Sequence, residues 1–118
     1  MLTTFDRIIS DRGSVYAVSG GAVADRAAID AALTELKSLR RFAKATHNSW
    51  AALLAGEGLK SDDGESGAGA IILRMLETEG LNDHLIVVTR WYGGKHLGGD
   101  RFRHVIGAVR HYLAHRPR

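Results

Sequence analysis

The stretch HLIVVTRWY, residues 84–92, constrains the fold more than any other part of the 118-residue chain. Its middle, Ile86-Val87-Val88, is unbroken, β-branched and apolar, a composition suited to a strand at the centre of a sheet. Strand-like and helix-like segments alternate around it. SVYAVSG (14–20) reads as a strand ended by Gly20-Gly21. From Asp25 to Phe42 the apolar residues Ile29, Leu33, Leu36 and Leu39 recur at helical spacing, with Asp25 as the N-cap. HNSWAALLAG (47–56) reads as a second strand, with a short extra strand near Glu57–Lys60. Ala70 to Glu79 is a helix that turns Ile72, Met75 and Leu76 inward and stops at Gly80. Phe102, Val105, Ile106, Val109, Tyr112 and Leu113 mark a final amphipathic helix. The order β-α-β-α-β-α implies one domain over residues 1–118, with a core from about 14 to 115 and helices packed on a sheet.

Composition narrows the class. The chain has no cysteine, which excludes disulfides and thiolate metal sites. The opening MLTTFDRIISDRGSV breaks its apolar residues with charges and does not resemble a signal peptide. No apolar run approaches the roughly 20 residues of a membrane span, so a soluble, cytoplasmic protein is expected. Charge is unevenly placed. Residues 1–89 hold nine Lys/Arg against twelve Asp/Glu, whereas residues 90–118 hold seven against Asp100 alone, together with His96, His104, His111 and His115. Such a basic segment is either a solvated helix face or a contact for phosphates or acidic proteins.

The loop RWYGGKHLGGDRFRH, residues 90–104, carries most of that charge. It is not a Walker A loop, because His96 follows Gly94-Lys95, and it lacks the G-x-G-x-x-G spacing. Asp100, near the start of the last helix, is expected to cap it and to occupy the place of an anion. Two glycine pairs exceed what a strand-to-helix turn requires. Arg90, Lys95, Arg101 and Arg103 offer donors, and Trp91 and Tyr92 offer stacking faces. The loop therefore reads as a binding surface that includes Gly93, Gly94 and Gly98.

Two further clusters accompany it. Asp62-Asp63-Gly64-Glu65 admits three readings: carboxylates at a helix start, internal partners of Arg90 or Lys95, or a magnesium site. The last would be a metal-dependent phosphoesterase with His47 as general base. Thr46, His47 and Asn48 precede a strand, and all three side chains can form hydrogen bonds. No cysteine nucleophile and no G-x-S-x-G elbow exists. His104, His111 and His115 share one stripe of the last helix, which reads as a solvated basic face rather than a zinc site. No cofactor and no metal are expected.

Together these motifs resemble the Impact family, whose bacterial members include the YigZ-type proteins. Ala45-Thr46-His47-Asn48, Ser61-Asp62-Asp63-Gly64-Glu65 and Val87-Val88-Thr89-Arg90-Trp91-Tyr92-Gly93-Gly94 look like its three signature stretches, in order, within a likeness running from Val15 to Leu113. Leu97-Gly98 and Asp100-Arg101-Phe102-Arg103-His104 are similar to the eukaryotic branch, with Gly99 where proline is usual. The likeness implies a ribosomal protein S5 domain 2-like fold, an α/β (α+β) two-layer sandwich with helices on one face of a mixed sheet. It implies no enzymatic activity. Its eukaryotic relatives regulate translation under starvation. The chain is thus expected to be a binding module in translational or stress-response control, contacting RNA, the ribosome or a translation-associated protein.

Overall fold

The computed structural model describes residues 2–118. Five strands and four helices follow in the order β1 (Thr3–Asp11), β2 (Ser14–Ala22), α1 (Arg26–Ser38), α2 (Arg40–Ala43), β3 (His47–Leu54), β4 (Glu57–Ser61), α3 (Ala68–Glu79), β5 (His84–Trp91) and α4 (Asp100–His115). One sheet holds all five strands in the order β1-β2-β5-β3-β4. The class is α+β.

Every ladder in that sheet is antiparallel. The expected mixed sheet is therefore corrected. β2 and β3 do run parallel, as a helical crossover between them requires, but they are not neighbours. β5 inserts between them and opposes both, with Val88 opposite Val18 on one side and Ser49 on the other. β4 and β5 are likewise joined through α3 and separated by β3. Two crossover units interleave, and each turns the other's parallel pair into antiparallel neighbours.

Helices cover both faces, not one. Alternation along β5 sends Ile86 and Val88 toward Ile72 and Leu76 of α3 and Val105 and Val109 of α4. Leu85 and Val87 point the other way, into a cluster with Ile29 and Leu36 of α1 and Phe42 of α2. All four β5 side chains are essentially inaccessible, as a four-residue apolar run demands when both sides are filled. Burial of each such side chain contributes on the order of 1.5–3 kcal/mol.

Local sequence accounts for most boundaries. The carboxylate of Asp25 accepts from the Ala28 amide at 2.8 Å and starts α1. The helix expected from Asp25 to Phe42 instead breaks at Leu39, whose extended backbone lets Phe42 turn inward. Gly80 ends α3 at φ 62°. Gly20-Gly21 does not end β2, which continues to Ala22. A Cβ on Gly20 would stand 2.3 Å from the Tyr112 ring, so glycine here seats α4 against the sheet. β1 was not anticipated. It is a half-exposed edge strand whose pairing with β2 shifts between Phe5 and Ile9, where Arg7 takes φ 51°.

Candidate binding cleft

The end of β5, the start of β3, the turn before α3 and the loop before α4 converge on one cleft of about 450 Å³. Thr46, His47, Glu65, Arg90, Tyr92, His96, Leu97, Gly98 and Arg101 line it. The cationic and acidic turns thus lie side by side.

The floor is an ion pair. Arg90 Nη1 donates to Glu65 at 2.8 Å, and each side chain is only 7% exposed. Nη2 donates to Ser14 Oγ at 3.3 Å, and the same oxygen accepts from the Gly93 amide. Arg90 reads from sequence either as a donor to a ligand or as an internal partner of the acidic turn, and the structure pairs its guanidinium with Glu65. Two polar atoms beneath this floor, Arg90 Nε and the Tyr16 hydroxyl, are buried without a partner among the described residues. Burial pushes the Tyr16 hydroxyl up to about 12.

Backbone bonds organise the acidic turn. Asp62 accepts from the amides of Gly67 at 3.1 Å and Gly69 at 2.8 Å, and these bonds hold its carboxyl below the usual range. Asp63 accepts from the Asn48 amide at 2.7 Å, and its own carbonyl accepts from His47 Nδ1 at 2.8 Å. Nδ1 is the donor in that bond, and Nε2 lies 3.4 Å from Glu65. Gly64, at φ 87°, sits against this ring, where a Cβ would approach Nδ1 to 3.0 Å. The carboxylates are engaged by amides and by Arg90, and no group of three metal-binding side chains occurs among the described residues. The geometry gives the phosphoesterase alternative no support.

Thr46 stitches β3 to the loop. Its amide donates to the Arg90 carbonyl and its hydroxyl accepts from the Tyr92 amide, both at 2.9 Å. Asn48 is buried on the opposite face, between Thr89 Oγ1 at 2.7 Å and the Phe42 carbonyl at 3.1 Å. Trp91 also leaves the cleft. Its indole donates to the Arg41 carbonyl at 2.9 Å, and the Arg41 guanidinium lies 3.7 Å from its ring centre. Asn48 and Trp91 are thus parts of the other face, as strand alternation requires.

The rim is exposed and basic. Tyr92, 42% exposed, lies 5.6 Å from His96 and 5.7 Å from the Arg90 guanidinium. Phe102 stands over Gly67, so the α4 entry touches the α3 entry, and Arg101 lies 4.6 Å from the Phe102 ring. Lys95 is exposed in the same loop, Gly94 and Gly98 take φ 91° and 56°, and Gly93 packs on the Gly13 backbone. Asp100 does not cap α4, whose N-cap Gly99 has no side-chain bond. It pairs with Arg12 of the β1–β2 turn and, at 3.5 Å, with Arg103.

The structure adds a network that sequence reading missed. His104 is buried, not solvated, and its Nε2 lies 2.7 Å from Asp11. Hydrogen bonds from Arg12 and then His104 hold the Asp11 carboxyl well below the ordinary carboxylate range. His111 and His115 stack at 4.2 Å beside Phe5.

An α+β domain with a polar cleft at one end of an interleaved antiparallel sheet is the class this geometry defines. The Impact N-terminal domain profile matches residues 12–113, and the chain belongs to that family. It is similar to Protein IMPACT of Bos taurus, 34% identical over 111 residues that cover 89% of this chain and 35% of the relative. The Protein IMPACT homolog of Caenorhabditis elegans is 33% identical over 91% of this chain and 45% of its own length. The chain therefore spans less than half of these curated relatives. A crystal structure of a hypothetical protein shares the fold at TM-score 0.85 and 24% identity, over 96% of this chain and 57% of that one. The two-domain translational regulator Yih1 aligns at TM-score 0.53 and 29% identity, over 90% of this chain and 43% of its own. No helix among the described residues is long and apolar enough to cross a membrane.

Proposed function

We propose that this chain is a non-enzymatic binding module of cytoplasmic translational or stress-response control, and that its cleft takes RNA. The observation that carries this reading is the rim. Exposed Phe102 lies 4.6 Å from the Arg101 guanidinium, exposed Tyr92 lies 5.6 Å from His96, and Lys95 is exposed in the same loop. An aromatic face next to a guanidinium suits an unstacked base and the phosphate that follows it. The likeness to Protein IMPACT and to the translational regulator Yih1 supports the cellular context. Arg90 and Glu65 shape the floor and do not touch the ligand.

The test is anisotropy of a labelled, structured RNA at several salt concentrations. Affinity falls steeply with salt, with a slope set by the number of phosphates neutralised. Lys95→Glu with Arg101→Glu lowers affinity at least tenfold, and Tyr92→Ala costs about 1–3 kcal/mol. Unchanged RNA affinity in the double variant overturns the reading. A ribosome-associated partner recovered equally with and without nuclease assigns the cleft to protein instead.

A further inference from the structure

Outside the cleft, α3 and α4 leave a furrow between their exposed flanks. It holds a hollow of about 360 Å³ lined from both helices. Ile71, Met75 and Ile106 supply apolar walls, all of them half-buried. Arg74 and Arg110 stand exposed at the edge, and neither forms an ion pair among the described residues. We propose that this furrow docks an acidic amphipathic helix of a partner protein.

Shape, polarity and charge select that occupant. Along its walls, Ile71 to Met75 on α3 and Ile106 to Arg110 on α4 each advance by four residues, about 6 Å at 1.5 Å per residue. That span equals the distance between helix anchors at i and i+4, a spacing by which an amphipathic helix enters a groove. Apolar anchors fill the hollow, and carboxylates flanking them meet Arg74 and Arg110, which have no ion-pair partner among the described residues. A second copy of this chain fits poorly, because a two-fold contact here would set arginine against arginine. A nucleic acid leaves the apolar walls unfilled, and a flat bilayer does not enter a furrow.

Fluorescence anisotropy with the full chain tests the assignment. The probe is a labelled synthetic helix of about four turns, with leucines on one stripe and glutamates beside it. It binds, and the exposed double substitution Arg74→Glu with Arg110→Glu weakens it at least tenfold while thermal unfolding stays unchanged. Replacing the peptide's glutamates by lysine, or its leucines by serine, abolishes binding to the native chain. Absence of binding, equal binding of the lysine peptide, or an unaltered affinity in the double variant overturns the proposal. So does a tenfold loss of RNA affinity in that variant, which assigns the furrow to nucleic acid. A dimer in sedimentation that the double variant dissociates overturns it in favour of a second copy.

Discussion

Arg90 and Glu65 meet at 2.8 Å in a nearly dry site and join the central strand to the turn before α3. An ion pair this buried is costly to break, because the surviving charge keeps its desolvation penalty. Glu65→Ala is expected to lower unfolding stability by about 3–5 kcal/mol, measured by chemical denaturation. Glu65→Leu combined with Arg90→Met removes both charges and should recover most of that loss. A double variant as unstable as the single one would show that the pair acts through something other than charge.

Asp62 bonds to the amides of Gly67 and Gly69 at the α3 entry, five and seven residues ahead of it. Asp62→Ala should cost about 1–2 kcal/mol, the range of a lost helix cap. Calorimetric titration of the native chain with magnesium should register no carboxylate-dependent binding at this turn. A magnesium affinity that Asp62→Ala or Asp63→Asn abolishes would revive the metal-site reading.

Two glycines of one loop should respond in opposite ways. A Cβ on Gly93 would lie 2.0 Å from the Gly13 carbonyl carbon, so Gly93→Ala must push the β1–β2 turn away. A loss of at least about 1–3 kcal/mol is expected, with shifts at Ser14 visible by NMR. Gly99 takes φ −67° in open space. Gly99→Ala should therefore raise stability by about 0.4–1 kcal/mol, through the unfolded chain. Destabilisation at Gly99 would mean that the loop needs its freedom.

Burial, and then Arg116, holds His84 below its usual pKa, with the Tyr112 hydroxyl 2.6 Å from its Nε2. The unfolded chain takes up this proton near pH 6.5, while the folded chain resists it. Stability is thus full above pH 6.5 and declines as pH falls below it. His111, lowered by burial and then by His115, adds in the same direction. In thermal melts His84→Gln should reduce the decline between pH 7 and 5 without abolishing it. An identical pH profile in that variant would refute the assignment.

Much of the fold was legible where a residue acts on its near neighbours. The Asp25 cap, the Gly80 stop and the central strand all follow from local chemistry. Strand alternation would also have separated Trp91 from Arg90 and Tyr92, since consecutive strand residues point to opposite faces. β1 escaped notice because Asp6, Arg7 and Asp11 interrupt an edge strand that buries little. The link from His104 to Asp11 joins residues 93 positions apart, and no local pattern encodes it. The helices on both faces were written into Leu85–Val88, where four apolar neighbours in a row leave neither side for solvent.

The insertion of β5 between β2 and β3 also orders biosynthesis. Until His84–Trp91 has left the ribosome, β2 and β3 have no shared neighbour, and the halves of the sheet cannot join. A nascent chain halted before that point exposes two unsealed strand edges and has none of the Arg90 floor. Premature termination therefore yields a species open to aggregation and without the cleft, not a weakened version of the whole.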